Sequence, residues 1–270
     1  MEKLTLTSEE LYQLNSCVDN KESQFNHDKE LANAYLEVMN DFLQQSVKQN
    51  INQDAVSIIQ RGVVLCVNNP SNGILITGIN PSGGHRAGNG FYAFPKTNNI
   101  GYWRHKRSLV QDEKDNIDNI NITAYIDLFP LRETPQVDFE NKFRPYLELK
   151  SRFLKITQQE IEEHIKPKLI IVANKDSYYY WGVNSDSTWM GYDLKKVKNN
   201  VLPERGDNVK IFKIVGFKEA DDRVFQNPKT NLKDTIVVLY AMYDDRHKGK
   251  HLTAKEIKKI FENNRWELEP

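Results

Sequence analysis

Five short apolar runs, most of them rich in β-branched residues, constrain the fold of this chain more than any other feature: GILIT at 73–77, TAYIDLF at 123–129, KLIIVA at 168–173, KIFKIVGF at 210–217 and TIVVLYAMY at 235–243. A strand with one wet face alternates apolar and polar side chains. Runs apolar on both faces read instead as strands of a parallel sheet covered by helices. The expected class is α/β, a three-layer sandwich around a central, mostly parallel sheet of four or five strands. Residues 1–61 read as a helical layer packed on a single core domain of residues 62–270. In that layer TSEELYQL opens on a Thr cap with an acidic first turn, and HDKELANAYLEVMNDFLQQSVKQ sets Leu31, Tyr35, Val38 and Phe42 near one face. The polar stretch SDSTWMGYDLKKVKNNVLPERGDN reads as an insertion or a β-hairpin excursion, and TAKEIKKIFENN as a closing helix capped by Thr253.

A chain of 270 residues can bury a sizeable core. Its 37 basic and 37 acidic side chains cancel, so any contact with nucleic acid has to come from a local patch. Cys17 and Cys66 are too few for a disulfide framework, a four-cysteine zinc site or a cysteine-held cluster. With no apolar signal core at MEKLTLTSEELYQL and no run approaching a membrane span, the expectation is a soluble cytoplasmic monomer without a membrane partner.

Directly after GILIT comes GINPSGGHRAGNGFYAFP, residues 78–95. Ligands of open α/β sheets bind beyond the carboxyl ends of the strands, which is where this stretch lies. Gly78, Gly83, Gly84, Gly88 and Gly90 allow positive φ and turns that aim N–H groups at an anion or a carbonyl. Pro81 stiffens the bend and Asn80 brings an amide to the mouth. No Gly-Lys-Ser/Thr follows, and the glycine spacing is not that of a dinucleotide fingerprint, which disfavours nucleoside triphosphates.

The segment ILITGINPSGGHRAGNGFYAFP resembles the first motif of the uracil-DNA glycosylase superfamily, closest to its mismatch-specific branch. YIDLFPLRETP is similar to that family's next strand and Arg-bearing loop, and KPKLIIVANKDSYYYWG to the strand and helix that follow. The resemblance implies a site that accepts a base flipped out of DNA, or a related nucleoside, and hydrolyses the N-glycosidic bond without a cofactor. In that reading Asn80 positions a water. Main-chain N–H groups between Ile79 and Ser82 face the departing base, with Gly78, Pro81 and Gly83 shaping the loop around them. Phe94, or else Tyr92 or Phe91, is the stacking surface, and His85 contacts phosphate or base. Asp127, Arg132 and Asn174 complete the pocket. The family reads uracil with an Asn where this chain has Asp127. A carboxylate only accepts hydrogen bonds and suits a base carrying an amino group, whereas a protonated carboxyl would add a donor. At the last strand, Tyr243 stands where the family has His or Asn, and Asp244-Asp245 where it has Pro-Ser. The same site, catalytically silent, is a binding module for nucleic acid or a nucleotide.

WRHKR at 103–107 places Trp103 among Arg104, His105, Lys106 and Arg107, a pattern suited to stacking and phosphate contact; Arg246 and Lys248 are further candidates for the nucleic-acid backbone. His247 and His251 are four apart, but Gly249 between them disfavours one helix presenting both to a metal. Tyr178, Tyr179, Tyr180 and Trp181 read as core packing of a helix after the third run. The absence of a Gly-x-Ser-x-Gly elbow, and of an obvious base beside either cysteine, leaves nucleophilic hydrolysis unsupported.

Overall fold

The computed structural model describes residues 3–18, 21–48, 51–82, 87–95, 101–134, 136–183, 188–198, 202, 208–242, 251–263 and 265–269. Along the chain run α1 (Ser8–Cys17), α2 (Glu22–Lys48), α3 (Gln53–Ile59), β1 (Val64–Val67), β2 (Ile74–Gly78), β3 (Gly90–Ala93), α4 (Gly101–Arg107), β4 (Gln111–Asp112), β5 (Ile117–Asp118) and β6 (Thr123–Asp127). There follow α5 (Gln136–Phe143), α6 (Leu147–Glu160), β7 (Leu169–Val172), β8 (Tyr192–Lys196), β9 (Val209–Phe217), β10 (Ile236–Tyr240) and α7 (Ala254–Glu262). They form two compact units, one of Met1–Asn68, Ile79–Ala93 and Ile126–Glu160, the other of Asn69–Gly78, Phe94–Tyr125 and Ile161–Pro270. Among the described residues no helix is long and apolar enough to cross a membrane.

The first unit joins the N-terminal helices to α5, α6 and a parallel pair of strands, β1 with β3. Thr7 caps α1 in a full capping box with Glu10, as its Ser/Thr-x-x-Glu spacing predicts. Leu31, Tyr35, Val38 and Phe42 of α2 are buried, as expected for one apolar face, and α6 packs against that helix. Tyr35 and Phe153 lie ring to ring at 6.1 Å, and Phe129, Phe139, Phe143 and Tyr146 continue the aromatic core. Inside it the Tyr35 hydroxyl meets Thr157 Oγ1 at 2.7 Å, and Thr157 donates to the Leu128 carbonyl at 2.9 Å. Leu128 directly follows β6, so this buried relay fixes the exit of that strand.

On the same helix, His27 Nε2 donates to Glu160 at 2.9 Å, and that bond, opposed by burial, holds the imidazole above its usual range. Burial pushes the neighbouring Asp28 carboxyl up to about 6, although Gln24 and the Asn68 N–H donate to it. A folded carboxyl that binds its proton more tightly than the unfolded one makes stability fall as pH rises, here between 3.8 and about 6. The raised His27 adds to that trend, because its stabilisation is complete below its unfolded value and is lost as pH climbs through the folded one. Asp28→Asn keeps both accepted bonds and removes the titration. Urea unfolding is expected to find it equal to wild type near pH 4 and more stable at pH 7, by on the order of 2 kcal/mol. An identical pH dependence of the two proteins would exclude this account.

The second unit carries the sheet, which has six strands in the order β6-β2-β7-β10-β9-β8 rather than four or five. β2, β7 and β10 run parallel and are buried along their length, except for half-buried Gly78 at the end of β2. Two corrections concern the fourth run. KIFKIVGF lies antiparallel to β10, not parallel, and only Ile211 and Ile214 of β9 are buried. The lysines at 210 and 213 need water, which an outer position supplies and a covered central strand does not. The polar excursion supplies β8, which pairs antiparallel with β9 and widens the sheet. Tyr180 and Trp181 are fully buried, as expected for core packing, in a 3-10 helix over Lys175–Trp181. Thr253 closes a capping box with Glu256 at the start of α7.

Candidate functional site

β2 ends at Gly78, and the chain then turns along the segment that follows Asp127. In the first unit the two stretches are tied together by main-chain bonds from Phe129 N to the Ile79 carbonyl at 2.8 Å and from Glu133 N to the Pro81 carbonyl at 3.2 Å. The Asn80 side chain adds bonds from Nδ2 to the carbonyls of Glu133 at 2.9 Å and Leu131 at 3.3 Å. Carbonyls are acceptors only, so the amide orientation is chemically fixed: nitrogen toward them, Oδ1 away. Asn80 is half-buried, Pro81 buried and Ser82 exposed. Asp127 closes β6 as a buried carboxylate, 7% exposed.

Arg132, expected at a ligand, holds the far end of the loop. Its Nη1 donates to the Gly88 carbonyl at 2.7 Å. Gly88 has φ of +89°, a conformation that favours glycine. Gly90 and Gly78 lie outside the left-handed region, contrary to the expectation for them. At Gly90 the missing side chain serves contact instead, since a Cβ there would sit 2.5 Å from Arg132 Nη2. Phe91 and Tyr92, alternatives for stacking, belong to β3 and pair with Leu65 and Cys66 of β1.

Five residues that sequence reasoning missed, Asn89, Glu10, Glu133, Lys142 and Arg61, build this frame. Asn89 accepts from Val63 N at 2.9 Å, while its own N–H donates to Glu10 at 2.6 Å and its side-chain nitrogen donates to the same carboxylate at 3.0 Å. Burial alone would raise Glu10; the donors from Thr7 and Asn89 outweigh it and hold the carboxyl below its ordinary range. Glu133, 4% exposed, pairs with Lys142 at 3.1 Å and Arg61 at 3.5 Å. Burial pushes it up, yet Lys142, the Thr134 N–H and Arg61 together leave it lowered. The capping-box spacing at Thr7 was the only local signal for any of them, and it pointed to a helix start.

In the second unit Phe94 is 8% exposed and belongs to an aromatic cluster, its ring 5.8 Å from Trp103 and 6.4 Å from Tyr125. Lys106 corrects a reading: it is 2% exposed, its ammonium 5.3 Å from the Tyr125 ring and 5.5 Å from the Trp103 ring, so it points inward and does not offer its charge to a phosphate. Arg104 is exposed and Arg107 half-buried, the latter donating to Gln111 at 2.6 Å. Asn174 caps the 3-10 turn after β7 by accepting from the Asp176 N–H, which gives this candidate a local structural task. His251 Nδ1 lies 2.9 Å from the Tyr240 hydroxyl. Gly83, Gly84, His85, Tyr243, Asp244, Asp245, Arg246, His247 and Lys248 lie outside the described residues. No family model, curated protein or solved structure matches this chain.

Proposed function

We propose that the protein is a glycosylase-like N-glycosyl hydrolase, of three-layer uracil-DNA-glycosylase-like architecture, which binds an extruded DNA base or a related nucleoside beside Asn80 and Asp127. The observation that supports this reading is the lacing of Ile79, Asn80 and Pro81 to residues 129–133, because it holds a glycine-rich loop against the exit of the strand that ends in Asp127. A loop serving only as a surface connection has no need of a half-buried amide bonded to two distant carbonyls. With Nδ2 committed, Asn80 Oδ1 is left to accept a hydrogen from water and turn the water's lone pair outward. The water oxygen then bonds to the anomeric carbon as the carbon–nitrogen bond breaks. The base leaves with that electron pair and takes up the proton the water releases. Asn80 is no general base, so this site is a slow catalyst.

The test is incubation of labelled duplexes and single strands bearing uracil, hypoxanthine, mismatched thymine or methylated bases, followed by hot alkali, which cleaves at abasic sites. Strand cleavage at one of these bases is the expected result. Asp127→Asn is isosteric and adds a donor. It is expected to shift the ratio of uracil to amino-bearing bases released toward uracil by about tenfold, since a missing hydrogen-bond partner discriminates strongly in a buried site. An unchanged ratio removes Asp127 as the reader of the base. A second reading, a silent binding module, is favoured by the use of the Asn80 amide nitrogen for structure. Binding of these oligonucleotides without abasic product selects it.

A further inference from the structure

The second unit contains a cleft of about 590 Å³ between α4, the β4–β5 hairpin and the start of α7. This is the size of a ligand site rather than of a packing gap. Its charged lining sets Arg104, Arg107 and Lys114 against Asp112 and Glu113. Here the exposed Arg104 and Lys114 have no ion-pair partner among the described residues, while nearby Lys255 is paired with Asp115 at 3.5 Å. Arg107 is held in place by Gln111, and Asp112 is turned to its own hairpin, where it accepts from the Lys114 N–H at 2.9 Å. The start of α7 contributes little, because Thr253 and Glu256 already satisfy its N–H groups in their capping box. Among the described residues no Phe, Tyr or Trp lines the cleft.

We propose that this cleft binds phosphate groups of a nucleic-acid strand without regard to sequence, with Arg104 and Lys114 as the two contacting cations and Arg107 fixed between the strand and Gln111. Two cations on different elements, Arg104 on α4 and Lys114 in the β4–β5 turn, can each take one phosphate of a chain, whereas a single ion offers only one. The site is independent of base recognition in the first unit.

The experiment measures binding of fluorescein-labelled oligothymidylate to the full chain by anisotropy across a salt series, with inorganic phosphate as competitor. Arg104→Ala and Lys114→Ala are each expected to weaken binding several-fold at low salt, and to flatten the plot of log affinity against log salt by about 0.7 for each lost contact. Both side chains are exposed, so the unfolding temperature should not move, and Lys255→Ala, which removes the same charge from a paired lysine, should bind like wild type. Wild-type behaviour of Arg104→Ala and Lys114→Ala, or equal weakening by Lys255→Ala, overturns the site. Binding of inorganic phosphate without the oligomer overturns the strand as its occupant. The contrast among Arg104→Ala, Lys114→Ala and Lys255→Ala is read as binding and not as base release, so failure here leaves the hydrolase reading standing, and absence of abasic product leaves this site standing.

Discussion

Glu133→Ala is expected to lower the free energy of unfolding by about 3–5 kcal/mol, the range for removing one partner of a buried ion pair. The carboxylate is 4% exposed and sits between Lys142 and Arg61, the latter with a side chain 10% exposed. Without it Arg61 keeps its bond to the Arg132 carbonyl at 3.2 Å but loses its counter-charge in a place where water cannot replace it. Glu133→Gln keeps the shape and the bond from the Thr134 N–H, so the difference between the two variants isolates the charge. The same carboxylate sets a pH limit. Its folded value is depressed, so its contribution is complete above the unfolded value of 4.5 and is lost as pH falls through the folded value. Glu10 acts in the same direction. Acid unfolding of wild type should therefore begin below pH 4.5, and Glu133→Gln should lose part of that acid sensitivity. Urea curves showing Glu133→Ala within about 1 kcal/mol of wild type would mean that Arg61 and Lys142 are satisfied by solvent.

Asn80→Asp should be nearly as damaging to the fold and complete in its effect on function. It replaces the two hydrogens of Nδ2 by a carboxylate oxygen facing the carbonyls of Glu133 and Leu131. Two hydrogen bonds become repulsive contacts in a half-buried setting, a loss of about 3 kcal/mol. Hydrogen exchange should show weaker protection at the amides of Phe129 and Glu133, which donate to the two residues flanking Asn80. Any base release by wild type is expected to vanish, because the loop carrying the oxygen proposed to hold the water is no longer pinned. Retained protection at both amides would show that the main-chain bonds suffice and that the side chain has another task.

Much of the fold was legible from local pattern, and the limit of that legibility has a physical origin. Strands β2, β6, β7 and β10 are buried on both faces, and a buried strand announces itself by lacking polar residues. The short VLCV of β1 and the GFYA of β3 were missed as a pair, because neither is stable alone and each needs the other's hydrogen bonds. Of the candidate site, only its position at the end of a covered strand was legible. A glycine-rich stretch after a strand marks where a ligand can bind, but it does not reveal that Asn89 and Glu10 lock its end or that Arg132 lies over Gly90. Lys106 shows the same limit: within a basic run every side chain looks like surface, and only the placement of Trp103 and Tyr125 turns this one inward.

The sequence by itself determined the α/β class, the four covered strands and the helix starts at Thr7 and Thr253, because burial periodicity and capping are settled among residues a few positions apart. Only the tertiary structure decided the direction of β9, the pairing of β1 with β3 and the partners of Asn80, Glu133 and Lys106. Those depend on which groups from distant parts of the chain arrive within about 3 Å for a hydrogen bond or about 6 Å for a ring, and no spacing along one segment encodes that meeting.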